Sequence, residues 1–232
     1  MDTIRHMGHL HLVRHGQASF GADNYDQLSD LGKQQSVRLG QYFASKGWQF
    51  DTIVTGSLVR HTQTWAGIEQ GMGLTAGVMP VQVEPGLNEY DSHAVIAAIH
   101  PGPLPAVTEP GAYQTYFRLL RDGLRAWMDG VLTPEGMPSY DDFRGGILEA
   151  LKRVRDNNLG KRVLVVSSGG PISTTMGYLL GTSAETTIEL NYQIRNTALT
   201  ECRITRKGLR LVSFNGLPHL DGVGDEGMHT HT

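Results

Sequence analysis

The residues His9-Leu10-His11-Leu12-Val13 alternate polar and apolar side chains with the period of two that a strand requires, and they run directly into Arg14-His15-Gly16. Ser29-Asp30-Leu31 then opens a helix through Ser45, with Leu31, Val37, Leu39 and Phe43 as its apolar positions. Residues 51–55 (DTIVT) form a short strand closed by Gly56-Ser57, and Ser57 is placed to cap a helix carrying Arg60, Thr64 and Ile68. Val81-Gln82-Val83 reads as a third strand before the turn Pro85-Gly86. The run VLVVSSGGPIS at 163–173 predicts a buried strand, 162–167, a tight turn, and a helix with Pro171 in its first turn. Thr182-Ser183 caps a further helix, and helical segments are expected at 113–129 and 140–155. Two late strands, 198–205 and 209–214, flank Arg206-Lys207-Gly208 as an antiparallel hairpin. Residues 90–112 are rich in Pro and Gly, lack a period, and read as a surface excursion; the polar tail after Leu220 reads as loose.

Strands that alternate with helices predict an α/β fold, a three-layer α/β/α sandwich whose sheet is mostly parallel and ends in the antiparallel hairpin. A single domain over 1–232 is expected, with 90–143 as a small cap inserted into it. In such folds reactive groups gather beyond the carboxyl ends of the parallel strands. Arg14, His15, Ser57, Glu89 and Ser168 each follow an expected strand, so the pattern predicts that they converge on one crevice.

Composition narrows the function classes. The 232 residues suffice for one full hydrophobic core, and 39% hydrophobic against 19% charged residues excludes a disordered or fibrous chain. The net charge is −3 with Lys and Arg scattered, so neither nucleic acid nor a membrane surface is an expected partner. The lone cysteine, Cys202, excludes an internal disulfide framework and suits a reducing compartment. The start, MDTIRHMGHLH, lacks the apolar stretch of a signal peptide, and no segment is long enough to span a bilayer; a cytoplasmic location is expected.

Arg14-His15-Gly16 alone is a weak motif, since a histidine at a strand end is usually a structural hydrogen-bonder. Its company is more specific. LVRHGQAS at 12–19, LSDLGKQQ at 28–35 and TGSLVRHTQT at 55–64 resemble, in order and separation, three motifs of the histidine phosphatase superfamily, also called phosphoglycerate mutase-like. LNEYD at 87–91 is similar to the segment that holds the family's acidic catalyst, and NTALTE and FNGLPHL near the end fit as well, so the resemblance spans nearly the whole chain.

The resemblance implies a phosphatase that hydrolyses a small phosphate monoester through a covalent phosphohistidine on His15, with no metal or organic cofactor. A neutral imidazole is a good nucleophile toward phosphorus near neutral pH. Arg14 and Arg60 would supply always-charged planar forks to the phosphoryl oxygens, Gly16 would leave room for the ligand, and Glu89 would protonate the leaving oxygen and then deprotonate the attacking water. Asp91 is an alternative acid. Gln17 lies where the family often has a polar residue near the ligand, or else anchors its loop. His61 reads as a packing or surface residue, and His93 and His100 as residues of the cap. A metal site is a poor reading of His6, His9, His11, His229 and His231, which lack a cysteine partner or a zincin helix.

The sequence departs from the family at Ser168, where a second active-site histidine would precede the glycines. Ser168 either caps the following helix in a site that has lost its activity, or still donates through its hydroxyl, with the amides of Gly169 and Gly170 adding to the anion pocket. A cap histidine such as His93 is a further candidate to replace the missing ring. Two other functions stay open: a phosphoglycerate-type mutase, and a catalytically impaired protein that binds a phosphate ligand. The apolar content of 90–143 suggests a small or partly hydrophobic ester.

Overall fold

The four apolar residues at 163–166 lie at the centre of the sheet. The computed structural model describes residues 7–19, 26–106, 108–222 and 224–231. Along the chain run β1 (Gly8–Arg14), α1 (Asp30–Ser45), β2 (Thr52–Thr55), α2 (Val59–Gly71), β3 (Val81–Val83), α3 (Ser92–Ala97), α4 (Ala112–Met128) and α5 (Tyr140–Asn157). After these come β4 (Arg162–Ser167), α6 (Gly169–Leu180), α7 (Ala184–Gln193), β5 (Leu199–Thr205) and β6 (Gly208–Gly216). The strand order is β3-β2-β4-β1-β5-β6, with β3, β2, β4 and β1 mutually parallel and the β5–β6 hairpin antiparallel at the other side.

Both faces of the parallel part are covered, which is why β4 is apolar at successive positions rather than at every second one. Val13, Ile53, Leu164 and Val166 face Leu39 and Phe43 of α1 and Trp65 and Ile68 of α2. Leu10, Leu12, Val163 and Val165 face Ile147, Leu151 and Val154 of α5 and Ile172 and Met176 of α6. The alternation in β1 that marked it as a strand therefore has no wet face. His11 is buried against Trp48, with ring centroids 4.7 Å apart, and burial pushes its pKa down to about 4.

The segment 90–112 differs from its expected character. It contains α3, whose Val95 and Ile96 pack with Leu119, Leu120, Leu124 and Trp127 of α4 and Ile188 of α7 into a separate apolar cluster. Six residues are too few for a period to show, so Pro and Gly on either side dominated the pattern. The tail also departs from expectation. Gln35 Nε2 donates to the Met228 carbonyl at 2.7 Å, the Asn196 amide to the Thr230 carbonyl at 2.8 Å, and Arg14 to the His231 carbonyl at 2.8 Å. These are mostly backbone acceptors, which a polar composition does not reveal. No helix among the described residues is long and apolar enough to cross a membrane.

Candidate active site

The parallel register of β1 and β4 sets Arg14 opposite Ser167, so the next residues, His15 and Ser168, leave the sheet side by side. The His15 amide donates to the Ser167 carbonyl at 2.9 Å, and Asn196 Nδ2 donates to the His15 carbonyl at 3.1 Å. His15 is 3% exposed. Its Nδ1 lies 2.7 Å from the Gly16 carbonyl, which can only accept, so the ring proton sits on Nδ1 and Nε2 carries the lone pair. Arg60 Nε points at that lone pair from 3.3 Å. Burial, and then the charges of Arg60 and Arg14, hold the imidazole well below its usual pKa and therefore neutral.

The structure gives Gly16 a reason to be small that the sequence does not show. A Cβ there would collide with the Gly32 carbonyl at the start of α1, so the close approach is made by the helix. The Gly16 amide donates to Thr64 Oγ1 at 3.0 Å, which ties the LVRHGQAS loop to the third motif.

Arg60, in the first turn of α2, is fixed by Asp26, whose Oδ1 accepts from its guanidinium at 2.9 Å. The Oδ2 of Asp26 accepts from the Val59 amide at 2.9 Å, so Asp26 satisfies the helix N-terminus that was assigned to Ser57. The helix begins two residues beyond Ser57, and that serine pairs with Asn88 instead: its amide donates to Asn88 Oδ1 and its Oγ accepts from Asn88 Nδ2, both at 2.7 Å. Arg14 reaches the Ile194 and His231 carbonyls.

The carboxyl group of Glu89 is enclosed, although the residue keeps some surface, and both of its oxygens accept from the Gly170 amide at 3.1 Å. Burial raises its pKa; the Gly170 amide, Arg60 and Arg14 oppose that in turn. Gly170 is required here, because a Cβ would overlap Glu89 Oε1 and the Tyr90 ring. Its amide is thus committed to Glu89 and is not an open part of an anion pocket. A Cβ on Gly169 would strike Asn191, whose Nδ2 donates to the Tyr90 hydroxyl at 2.9 Å. Asp91, the alternative acid, is exposed and caps α3, accepting from the His93 and Ala94 amides at 2.9 and 3.0 Å.

Ser168 occupies the N-cap position of α6, yet its side chain makes no capping bond. Its Oγ lies 2.7 Å from Nε2 of His61, and both residues are 0% exposed. His61 is therefore not a surface residue of its helix, and its ring centroid is 5.8 Å from that of His15. His93 packs edge-on against Tyr116 at 6.2 Å. Gln17 is tied to the start of α1, its Oε1 accepting from Ser29 Oγ at 2.8 Å.

Sequence reasoning missed Asp26, His61 and Asn191. One signal for His61 was present: where Ser168 replaces a histidine of the family pattern, LVRHTQT supplies another directly after Arg60. Asp26 and Asn191 carry no local signal. Of the histidines weighed for a metal site, His6 lies outside the described residues and His9 pairs with Glu201 at 2.9 Å. Among the described residues no group of three or more His, Cys, Asp or Glu could hold a metal ion.

The family model described as histidine phosphatase superfamily (branch 1) matches residues 10–98 and 99–216. The chain is 28% identical over 192 residues to a 2,3-bisphosphoglycerate-dependent phosphoglycerate mutase of Methylorubrum populi, covering 78% of this chain and 83% of that protein. Among solved structures it is similar to a phosphoserine phosphatase mutant from Entamoeba histolytica in complex with phosphoserine, with a TM-score of 0.66, 21% identity, and coverage of 92% of this chain and 99% of that one. The alpha-ribazole phosphatase from Shigella flexneri superposes with a TM-score of 0.62 at 17% identity, covering 90% of this chain and 96% of that one.

Proposed function

The chain belongs to the histidine phosphatase superfamily, and from that premise we propose that it hydrolyses a small phosphate monoester through a phosphohistidine formed on His15. One observation carries the reading: a neutral imidazole with its Nε2 lone pair toward Arg60 shares an enclosure, and the same two arginines, with a carboxyl group biased toward its protonated form. A neutral nucleophile is then ready before the substrate arrives, and burial shifts the carboxyl group in the direction that an acid catalyst needs.

An arriving phosphoryl group takes the Arg60 Nε–H onto one of its own oxygens and releases the lone pair of His15. Nε2 attacks phosphorus in line, the P–O ester bond breaks, and Glu89 gives its proton to the departing alkoxide. Water then attacks phosphorus, Glu89 takes a proton from it, the N–P bond breaks, and orthophosphate leaves with Glu89 protonated again. Arg14 and Arg60 hold the equatorial oxygens throughout, which is where most of the acceleration of phosphoryl transfer originates. An aromatic or apolar ester group suits the rim, since exposed Tyr113 packs on Phe117 with centroids 4.4 Å apart and feels the charge of Arg14.

Phosphate release from p-nitrophenyl phosphate, with His15→Ala beside the wild type, tests the reading. We expect turnover in the wild type and a loss of about 10⁴-fold or more in the variant. Equal silence, with orthovanadate still bound, leaves a phosphate-binding protein. The similarity to a mutase favours one second reading, transfer between positions of a phosphoglycerate. Formation of 2-phosphoglycerate from 3-phosphoglycerate, in place of free phosphate, selects it.

A further inference from the structure

A second buried imidazole stands beside the nucleophile, and the reaction described above does not use it. His61 follows Arg60 on α2, is fully buried, and meets Ser168 Oγ through Nε2 at 2.7 Å. Its other nitrogen, Nδ1, has no hydrogen-bond partner among the described residues. The ring fits only because residue 56 is glycine: a Cβ there would overlap Nδ1 and Cε1. The polar side chain is thus held deep in the site at the cost of one unsatisfied nitrogen, an arrangement that calls for a reason.

The unpartnered nitrogen settles where the proton sits. Burial, and then the charge of Arg60, push the pKa of His61 down to about 3, so its ring carries one proton. A buried N–H without an acceptor is rarer and less favourable than a bare lone pair. The proton therefore belongs on Nε2, which donates to Ser168 Oγ. A serine oxygen that already accepts this bond turns its own O–H away from the imidazole. That hydroxyl is not used to cap α6. The register of β1 and β4 pairs Arg14 with Ser167, so Ser168 and His15 follow side by side beyond the strand ends.

We propose that His61 and Ser168 act as one donor: His61 Nε2–H engages Ser168 Oγ and orients its O–H onto a phosphoryl oxygen. His61 is the positioning residue and Ser168 the group that touches the substrate. The proposal rests on the phosphatase reading for its reaction, but the anion-binding function of the pair is separable from hydrolysis. The donor has moved from a single side chain on the β4–α6 turn to a pair split between that turn and α2.

The test is a double-variant cycle on the full chain, with kcat and KM for p-nitrophenyl phosphate and binding of orthovanadate. Ser168→Ala and His61→Ala should each lower kcat by about 10²-fold, the usual effect of losing one preorganised donor, with KM changed far less. The double variant should be no worse than either single one, because the two act as a unit. His61→Gln, which can still present an N–H toward Ser168, should recover at least about a tenth of the wild-type rate; that amide also fills the space if His61→Ala folds poorly. Losses that multiply in the double variant overturn the proposal, as does unchanged kcat in Ser168→Ala or in a folded His61 variant. If the wild type hydrolyses nothing, orthovanadate separates the cases. Binding weakened by both substitutions keeps the paired donor and removes only the phosphatase reading, while binding indifferent to them, or no binding, removes the pair.

Discussion

Two rims of one crevice are built in different ways. At the carboxyl end of β1, His15 and Gly16 are held by backbone and by neighbours from the same short motifs: the Ser167 carbonyl, Thr64 and Gly32. At the carboxyl end of β4 the polar side chain is a serine whose orientation comes from a histidine 107 positions away in the chain. The first rim is legible because its parts lie in short ordered motifs whose chemistry is unambiguous. The second is legible only once α2 is laid against the turn before α6. Under the proposed reading, the site keeps His15 and its arginines in plain view while its remaining donor changes address.

The comparison can be broken most forcefully at Arg60, which belongs to the first rim but also borders His61. Arg60→Lys keeps the charge and loses the fork that meets both Asp26 and His15. We expect kcat to fall by about 10²–10³-fold; a near-wild-type rate would mean that charge alone suffices and that the rigid first rim is unnecessary. Glu89, lodged between the rims on the Gly170 amide, should give the next effect. Glu89→Gln should slow turnover by about 10²-fold for alkyl esters and less for aryl esters, whose leaving groups need no proton. Because burial raises the Glu89 pKa, wild-type activity toward alkyl esters should fall as the pH rises through that value, and the limb should vanish in Glu89→Gln.

The smallest effect is on stability rather than turnover. His11, His61 and His219 have pKa values lowered from 6.5 to about 4, 3 and 3. Their folded forms stay neutral while the unfolded chain takes up protons, so this stability is intact above the unfolded value and is lost as the pH falls below it. Each should remove on the order of 2 kcal/mol by pH 5. His11→Phe, which preserves the ring against Trp48, should reduce the acid loss by about that amount in urea melts without touching kcat. An unchanged acid loss would mean that His11 does not stay neutral in the folded protein.

Most of the architecture was readable because long apolar runs and capping residues report local structure. Ser29, Pro171 and Ser183 mark α1, α6 and α7 where they occur, and RVLVVS matches β4 residue for residue. The failures share a cause. Ser57 looked like a cap because it sits at a strand end, yet Asp26 reaches the helix amides through space. The tail looked loose because its hydrogen bonds use backbone carbonyls, whose partners no side-chain pattern encodes.

By itself the sequence determined the layered α/β fold, the placing of Arg14 and His15 at a strand end, and the absence of a histidine at 168. Those are consequences of periodicity and chain-neighbour chemistry. Only the tertiary structure decided that Asp26 fixes Arg60, that Glu89 sits on the Gly170 amide, and that His61 turns inward to Ser168. Each of those depends on which two distant backbones come close enough for a single hydrogen bond, and that is set by helix packing against the sheet rather than by any stretch of residues read alone.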